Sequence, residues 1–330
     1  MHESPGLWTI PINSIYTISS IVYIIMSLPH KKTLLVTGAT GKQGSAVISS
    51  ILASTQASSF NIIAVTRNSA SGGARRLAAL PGVSVVEGEF SDVSAIFAQV
   101  GPVWGVFNVL VNSNDEERHG KAMVDAAVTH GVQHFVYASG DRGGPVKSNF
   151  DPTNVKNFAA KYNIEKHLIA QATLSPQQMT YTILRPVTFF ENLTPDIHGR
   201  GFVRMWEQLG TKKLQFVATS DIGWFAARSF LDPAAHAGAA ITIAGDELTQ
   251  PEADGIFKQV TGQSMPIGPC VIANTVKLVL RDTAGDMFRW FGEDGYGGDV
   301  EASRNMYPGI MDFRHWIEEN KGKWTKELKN

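Results

Sequence analysis

Three groups of residues in this 330-residue chain have types and spacings suited to chemistry. The first is the run Gly38, Ala39, Thr40, Gly41, Lys42, Gln43, Gly44, where a glycine recurs at every third position directly after the apolar stretch "TLLVT". A glycine turn between a strand and a helix lets backbone N–H groups and the positive end of the helix dipole approach a diphosphate that side chains would hold off. The second group is "TRN", residues 66–68, which closes the next apolar run. An acid at such a strand end accepts hydrogen bonds from a free ribose 2′-hydroxyl. Arg67 offers a guanidinium instead, which suits a 2′-phosphate, with Asn68 beside it and Lys42 as a candidate second cation. NADP(H) is therefore the expected cofactor. The third group is Lys161 in the helical stretch "NFAAKYNIEKHL". A lysine in a closed cleft can act as a proton donor or as a hydrogen-bonding cation. One helical turn before it stands Asn157, an amide with no proton to give at neutral pH.

These groups need a scaffold, and the pattern from Thr33 onward supplies one. Short apolar runs ("TLLVTG", "NIIAVTRN", "VSVVEGEF", "VWGVFNVL", "HFVYASG", "MTYTILRP") alternate with helical stretches such as "SDVSAIFAQV" and "DEERHGKAMVDAAVTHG". That alternation predicts an α/β fold with a doubly wound parallel sheet. Loops at the carboxyl ends of the strands face the ligand in such folds. By that rule Glu89 and Phe90 should flank the adenine, Leu110 to Asn112 the ribose next to the nicotinamide, and Ser139 should point into the same crevice. Tyr137 is expected to pack within its strand, and Tyr162, about 100° round the helix from Lys161, is a poor substitute for a phenol at position 157. His119, His134 and His167 lack metal-ligand spacing, so no metal is expected. In the back half, "KLQFVATSD" and "AAITIAGDE" read as strands, and "IGWFAARSFLD" and "PEADGIFKQVTG" as helices, with Asp221 capping the first and Thr249 or Gln250 opening the second. Phe288, Trp290 and Phe291 are expected in a core.

Composition bounds the rest. Hydrophobic residues make up 43% and charged residues 18%, an ordinary globular balance. The formal net charge of -1 offers no general pull toward nucleic acid or anionic membrane. Cys270 is the single cysteine, which excludes an internal disulfide and fits a reducing, cytoplasmic or nuclear, setting. Residues 7–26 approach the length needed to cross a bilayer. Pro11, Asn13 and several hydroxyl residues interrupt them, however, and Glu3 stands where a signal peptide would be basic. Residues 1–29 are expected to be a dispensable leader, with a membrane anchor or packed arm as the rival reading.

Taken together, "VTGATGKQGSAV", "VTRN", "VEGEFSD", "HFVYASG", "FAAKYNIEKHL" and "LRPVTFFENL" resemble the NmrA-like family of atypical short-chain dehydrogenases. The closing "MFRWFGEDGYGGDVEASRNMYPGIMDFRHWI" is similar to that family's end. The resemblance implies a Rossmann-type domain over residues 30–190, a smaller α+β lobe over 191–330, and NADP(H) between them. Carried over, its cofactor positions fall on Gly38 to Gly44, Arg67, Asn68, Glu89, Phe90, Asn112, Lys161 and the run Phe189, Phe190, Glu191, Asn192. A basic loop position of the family is matched loosely by Arg118, and Ala159 and Ala160 stand where relatives carry polar residues. Short-chain dehydrogenases place a tyrosine four residues before the lysine, and Asn157 replaces it here. "FAAK" resembles the Phe-x-x-Lys of isoflavone-reductase-like enzymes, in which a lysine works without that tyrosine. Two functions are therefore carried forward. One is an NADP(H)-dependent oxidoreductase with Lys161 catalytic, acting on a small hydrophobic carbonyl- or ene-containing compound. The other is a non-enzymatic NADP(H) sensor acting through a regulatory protein partner.

Overall fold

Each apolar run of the front half forms a strand, because β-branched and large apolar side chains favour an extended, doubly covered backbone. The computed structural model describes residues 31–269 and 285–327. The expected leader and Cys270 lie outside the described residues. The strands β1 (Lys32–Val36), β2 (Phe60–Thr66), β3 (Val83–Glu87), β4 (Gly105–Asn108), β5 (His134–Ala138) and β6 (Thr180–Pro186) follow the predicted order. After the short β7 (Thr188–Phe189) come β8 (Leu214–Val217), β9 (Ala239–Ile243) and β10 (Asp246–Leu248). The main sheet runs β3-β2-β1-β4-β5-β6-β9 with every pairing parallel, and a small second sheet runs β10-β8-β7. Strand order reverses between β1 and β4, where doubly wound folds open their crevice.

Helices cover both faces of the main sheet. Leu34 and Val36 point to one face and pack against Val47, Ile48 and Ile51 of the Lys42–Leu52 helix and Ile222 and Phe225 of the Thr219–Leu231 helix. Leu35 points to the other, against Ile96, Val124, Ile164 and Leu168. A third core, rich in aromatics, fills the smaller lobe: Phe202, Trp206, Phe216, Phe257, Phe313 and Trp316 belong to it. Phe288, Trp290 and Phe291 sit in that core as expected, all buried.

The back half departs from the sequence reading at two places. "AAITIAGDE" is two strands in different sheets, β9 beside β6 and β10 beside β8. The chain changes sheets at Gly245, whose N–H donates to the Phe216 carbonyl at 2.7 Å and where a Cβ would fall 2.4 Å from the Met311 carbonyl oxygen. The main sheet thus draws strands from both sides of residue 190. Asp221 is not a cap either. Its helix begins at Thr219, and the Glu191 carboxylate, from another element, accepts the Thr219 N–H at 3.0 and 3.1 Å. Asp221 lies inside the first turn, buried, accepting the Met311 N–H at 3.0 Å. Of Thr249 and Gln250, Thr249 is the cap, in a reciprocal box with Glu252, and Asp92 caps its own helix on the Ala95 N–H.

Candidate functional site

The crevice at the reversal point is sewn together by Thr37. Its hydroxyl accepts the Val109 N–H at 2.9 Å and touches the Phe107 carbonyl and Asn108 side chain at 3.3 Å, which fixes the β1 and β4 loops against each other. Gly38 follows at φ +55, and a Cβ there would lie 2.8 Å from Val109 Cγ1, so both conformation and space require glycine. At Gly44 a Cβ would fall 2.4 Å from the Gly38 carbonyl oxygen, so the helix can start this close to the turn only without a side chain. The turn forms the floor of a cavity of about 590 Å³. Of the sequence-predicted residues, Gly38, Thr40, Gly41, Arg67, Asn68, Glu89 and Phe90 line it, with Leu110 at the β4 side.

Arg67 is exposed on this wall and has no hydrogen-bond or ion-pair partner among the described residues. Glu87, at the end of β3, is engaged locally. Glu87 accepts the Ser69 N–H at 2.9 Å and the Ser69 hydroxyl at 2.7 Å, which hold its carboxyl below the usual carboxylate range. Asn68 uses its carbonyl oxygen locally, on the Ala70 N–H at 2.9 Å. Phe90 stacks on His119 with ring centroids 6.1 Å apart, and both border the cavity.

Lys161 stands on the Lys156–Leu174 helix, mostly buried, its Nζ donating to Oε1 of the fully buried Glu116. Burial raises the Glu116 carboxyl above its ordinary range, and the lysine pulls it back only in part. Asn157 is half-buried with no partner among the described residues. Tyr162 turns toward Arg142 and Lys166, whose cations lie 5.6 and 5.2 Å from its ring. Tyr137 is sealed in the core, its hydroxyl unpartnered and pushed well above the ordinary phenol range by burial and then by Glu116 and Glu165.

Other expected site residues are engaged elsewhere. Ala39 is buried beneath the turn. Lys42 donates to the Glu191 carbonyl at 2.8 Å, away from Arg67. The Gln43 Oε1 is buried without a partner among the described residues. Asn112 is exposed in the loop after β4, and Arg118 pairs on the surface with Asp115 at 3.0 Å. Ser139 does not face the crevice, because its hydroxyl donates to the buried Glu165, which needs donors once it has left water. Phe189 is half-buried against the main core, while Phe190 is fully buried on Phe216 and Trp316, with centroids 5.4 and 5.5 Å away. With Glu191 capping Thr219 and Asn192 closing the turn, this run fastens the smaller lobe to the glycine turn.

Glu116 and His119 were not singled out from the sequence as site residues. Both lie near the start of the Glu116–Thr129 helix, and no local sequence pattern marks either of them, because their partners come from other elements. Among the described residues no cluster of His, Cys, Asp or Glu suits a metal ion, and no helix is long and apolar enough to cross a membrane.

Comparison with known proteins adds context to this geometry. The NmrA-like family matches residues 30–327. The NmrA-like family domain-containing oxidoreductase hkm9 of Aspergillus hancockii is 29% identical over 72% of this chain and 75% of its own. A shorter match to a further oxidoreductase of that description, lnaB of Aspergillus flavus, reaches 36% identity over 34% of this chain and 35% of its own. Among solved structures, the NADPH-dependent quinone oxidoreductase QOR2 of Escherichia coli, complexed with NADPH, superposes with a TM-score of 0.67 at 21% identity over 87% of this chain and 99% of its own. NmrA, a negative transcriptional regulator solved with NADP, gives 0.65 at 17% identity over 88% and 95%.

Proposed function

Because the chain belongs to the NmrA-like family, we propose that it is an NADP(H)-dependent oxidoreductase acting on a small hydrophobic carbonyl- or ene-containing compound. The observation that carries this reading is Arg67, unpaired on the wall of the glycine-turn cavity, with no carboxylate at the end of β2 to receive a free ribose hydroxyl. The rest of the cavity fits the same group. Gly38 and Gly44 keep the turn open to a diphosphate, and Phe90 and His119 offer flat faces to a base. NADPH, when bound, supplies a hydride. Lys161, carried on the neighbouring helix and held by Glu116, donates a proton to the substrate oxygen or carbon. The oxidoreductase relatives support the reaction class, and the quinone oxidoreductase is a fold neighbour whose described cofactor is NADPH.

Cofactor choice is the direct test. Titrations should give NADPH at least about tenfold tighter binding than NADH, roughly 1.4 kcal/mol, and Arg67→Asp should erase or reverse the preference. Equal affinities in the parent protein would remove the assignment. Turnover is then sought by following NADPH oxidation with ketones, enones and quinones.

A second reading has its own support: Asn157 where a phenol would stand, and Tyr137 sealed out of reach. On that reading the protein binds NADP(H) without turnover and signals through a protein partner. Tight NADPH binding with no oxidation of any acceptor in the panel is its expected result.

A further inference from the structure

Two glutamates are buried near the Lys156–Leu174 helix, and their surroundings differ in kind. Glu165 accepts from Arg142 at 2.7 and 3.1 Å, from Arg185 at 2.7 and 3.2 Å and from the Ser139 hydroxyl. Both its oxygens are taken. Although burial alone would raise its carboxyl, the two guanidiniums hold it below the usual range. Glu116 is fully buried with Lys161 as the partner of Oε1, while Oε2 has none among the described residues. A carboxylate kept for the fold is expected to look like Glu165, because an under-satisfied buried charge is costlier than an apolar side chain of the same size.

We infer that Glu116 is a positioning residue that holds the Lys161 ammonium at one point, from a helix whose His119 lines the dinucleotide cavity, and leaves its remaining N–H donors for bound cofactor or substrate. The inference rests on the reading in which Lys161 meets cofactor or substrate. The contact is set by helix packing, not by a flexible reach. One turn beyond Glu116, a Cβ on Gly120 would fall 2.4 Å from Ile164 Cδ1, so the Glu116–Thr129 and Lys156–Leu174 helices touch backbone to side chain there. Asn163 donates to Glu117 at 2.8 Å, and His167 meets Asp125 at 2.6 Å, which locks the register of the two helices. The same helix carries His119, three residues on, on the cavity wall, so the Glu116–Lys161 pair is tied to the element that borders the cavity. Its acid sits where the positive end of a helix dipole favours a carboxylate, which fixes its own position.

The test is a double-mutant cycle in the full chain with Glu116→Gln and Lys161→Met, reading NADPH affinity and, with an accepted substrate, kcat. Glu116→Gln is expected to weaken one or both by about tenfold, within the range shown by coupled neighbours. The double variant should be no worse than Lys161→Met alone. Glu116→Asp guards against a folding artefact: it keeps the charge that pairs with Lys161 but is one methylene shorter, so it should melt close to the parent yet lose the same functional readouts in part. Effects of Glu116→Gln and Lys161→Met that multiply independently, or a Glu116→Gln protein equal to the parent in both readouts, would overturn the inference while leaving Lys161 intact as the working residue. A Lys161→Met protein unchanged in affinity and turnover would remove both readings together.

Discussion

Asn157 has no proton to give and Tyr137 is sealed in the core, which is why Lys161 is the proton donor in the proposed reaction. Removing the lysine tests that role. Lys161→Met keeps most of the aliphatic length; if the ammonium gives the proton, turnover should fall by about two to four orders of magnitude with a much smaller loss of NADPH affinity. A ribose ligand would instead lose about 1.5–3 kcal/mol in binding. Measuring kcat and the dissociation constant on the same preparation decides between them. Asn157→Tyr is a companion, raising carbonyl reduction only where a carbonyl already lies within reach. The strand-end place of Arg67, on the cavity wall, and the helical place of Lys161 were legible in the sequence because each is marked by local pattern. Glu116 was not, since its meaning depends on a partner 45 residues away that helix packing alone brings to it. Ser139 was misleading for the same reason: its strand-end position predicted the crevice, but Glu165 claims its hydroxyl.

Glycines set how closely the elements approach, and two of them make a paired prediction. Gly44→Ala forces a methyl to within 2.4 Å of the Gly38 carbonyl oxygen and 2.7 Å of its carbon, both backbone atoms with nowhere to retreat. It should cost about 1–3 kcal/mol in thermal or denaturant unfolding and weaken NADPH binding, because helix and turn must part. Gly255→Ala, in the exposed interior of the Gln250–Thr261 helix with nothing within 4 Å, should stabilise by about 0.5–1 kcal/mol and leave binding unchanged. Equal behaviour of the two would refute the close-approach account. At this scale the six front strands were readable because apolar runs and turn residues alternate cleanly. The β9–β10 break was not, since β10 is only three residues long, two of them acidic, and the sheet change hangs on the close approach of Gly245 to Met311. Nor was the capping of Thr219 by Glu191, an acid supplied from 28 residues upstream.

The junction between the lobes carries its own pH signature. Burial first, then the Glu191 and Glu319 carboxylates, raise Asp221 from 3.8 to about 7. A carboxyl raised on folding takes up a proton, so its contribution to stability is whole below its unfolded value and is lost as pH climbs through its folded value. Melting temperature should therefore drop by several degrees between about pH 5 and pH 8, a window running up through that folded value. Asp221→Asn keeps an acceptor for the Met311 N–H and should flatten the drop; an equally steep drop in the variant would clear Asp221 of the effect. Glu116, raised for a similar reason, adds the same sign. The seventh strand has a consequence in time. β9 closes the outer edge of β6, but it lies far later in the chain, beyond the whole of β8 and the Thr219–Leu231 helix. While the polypeptide is still emerging from the ribosome, "TYTILRP" presents a row of unpaired N–H and C=O groups on an apolar strand, an open template for a second nascent chain. Truncation before residues 239–243 should therefore lower the soluble yield in a cell, although none of them lines the dinucleotide cavity.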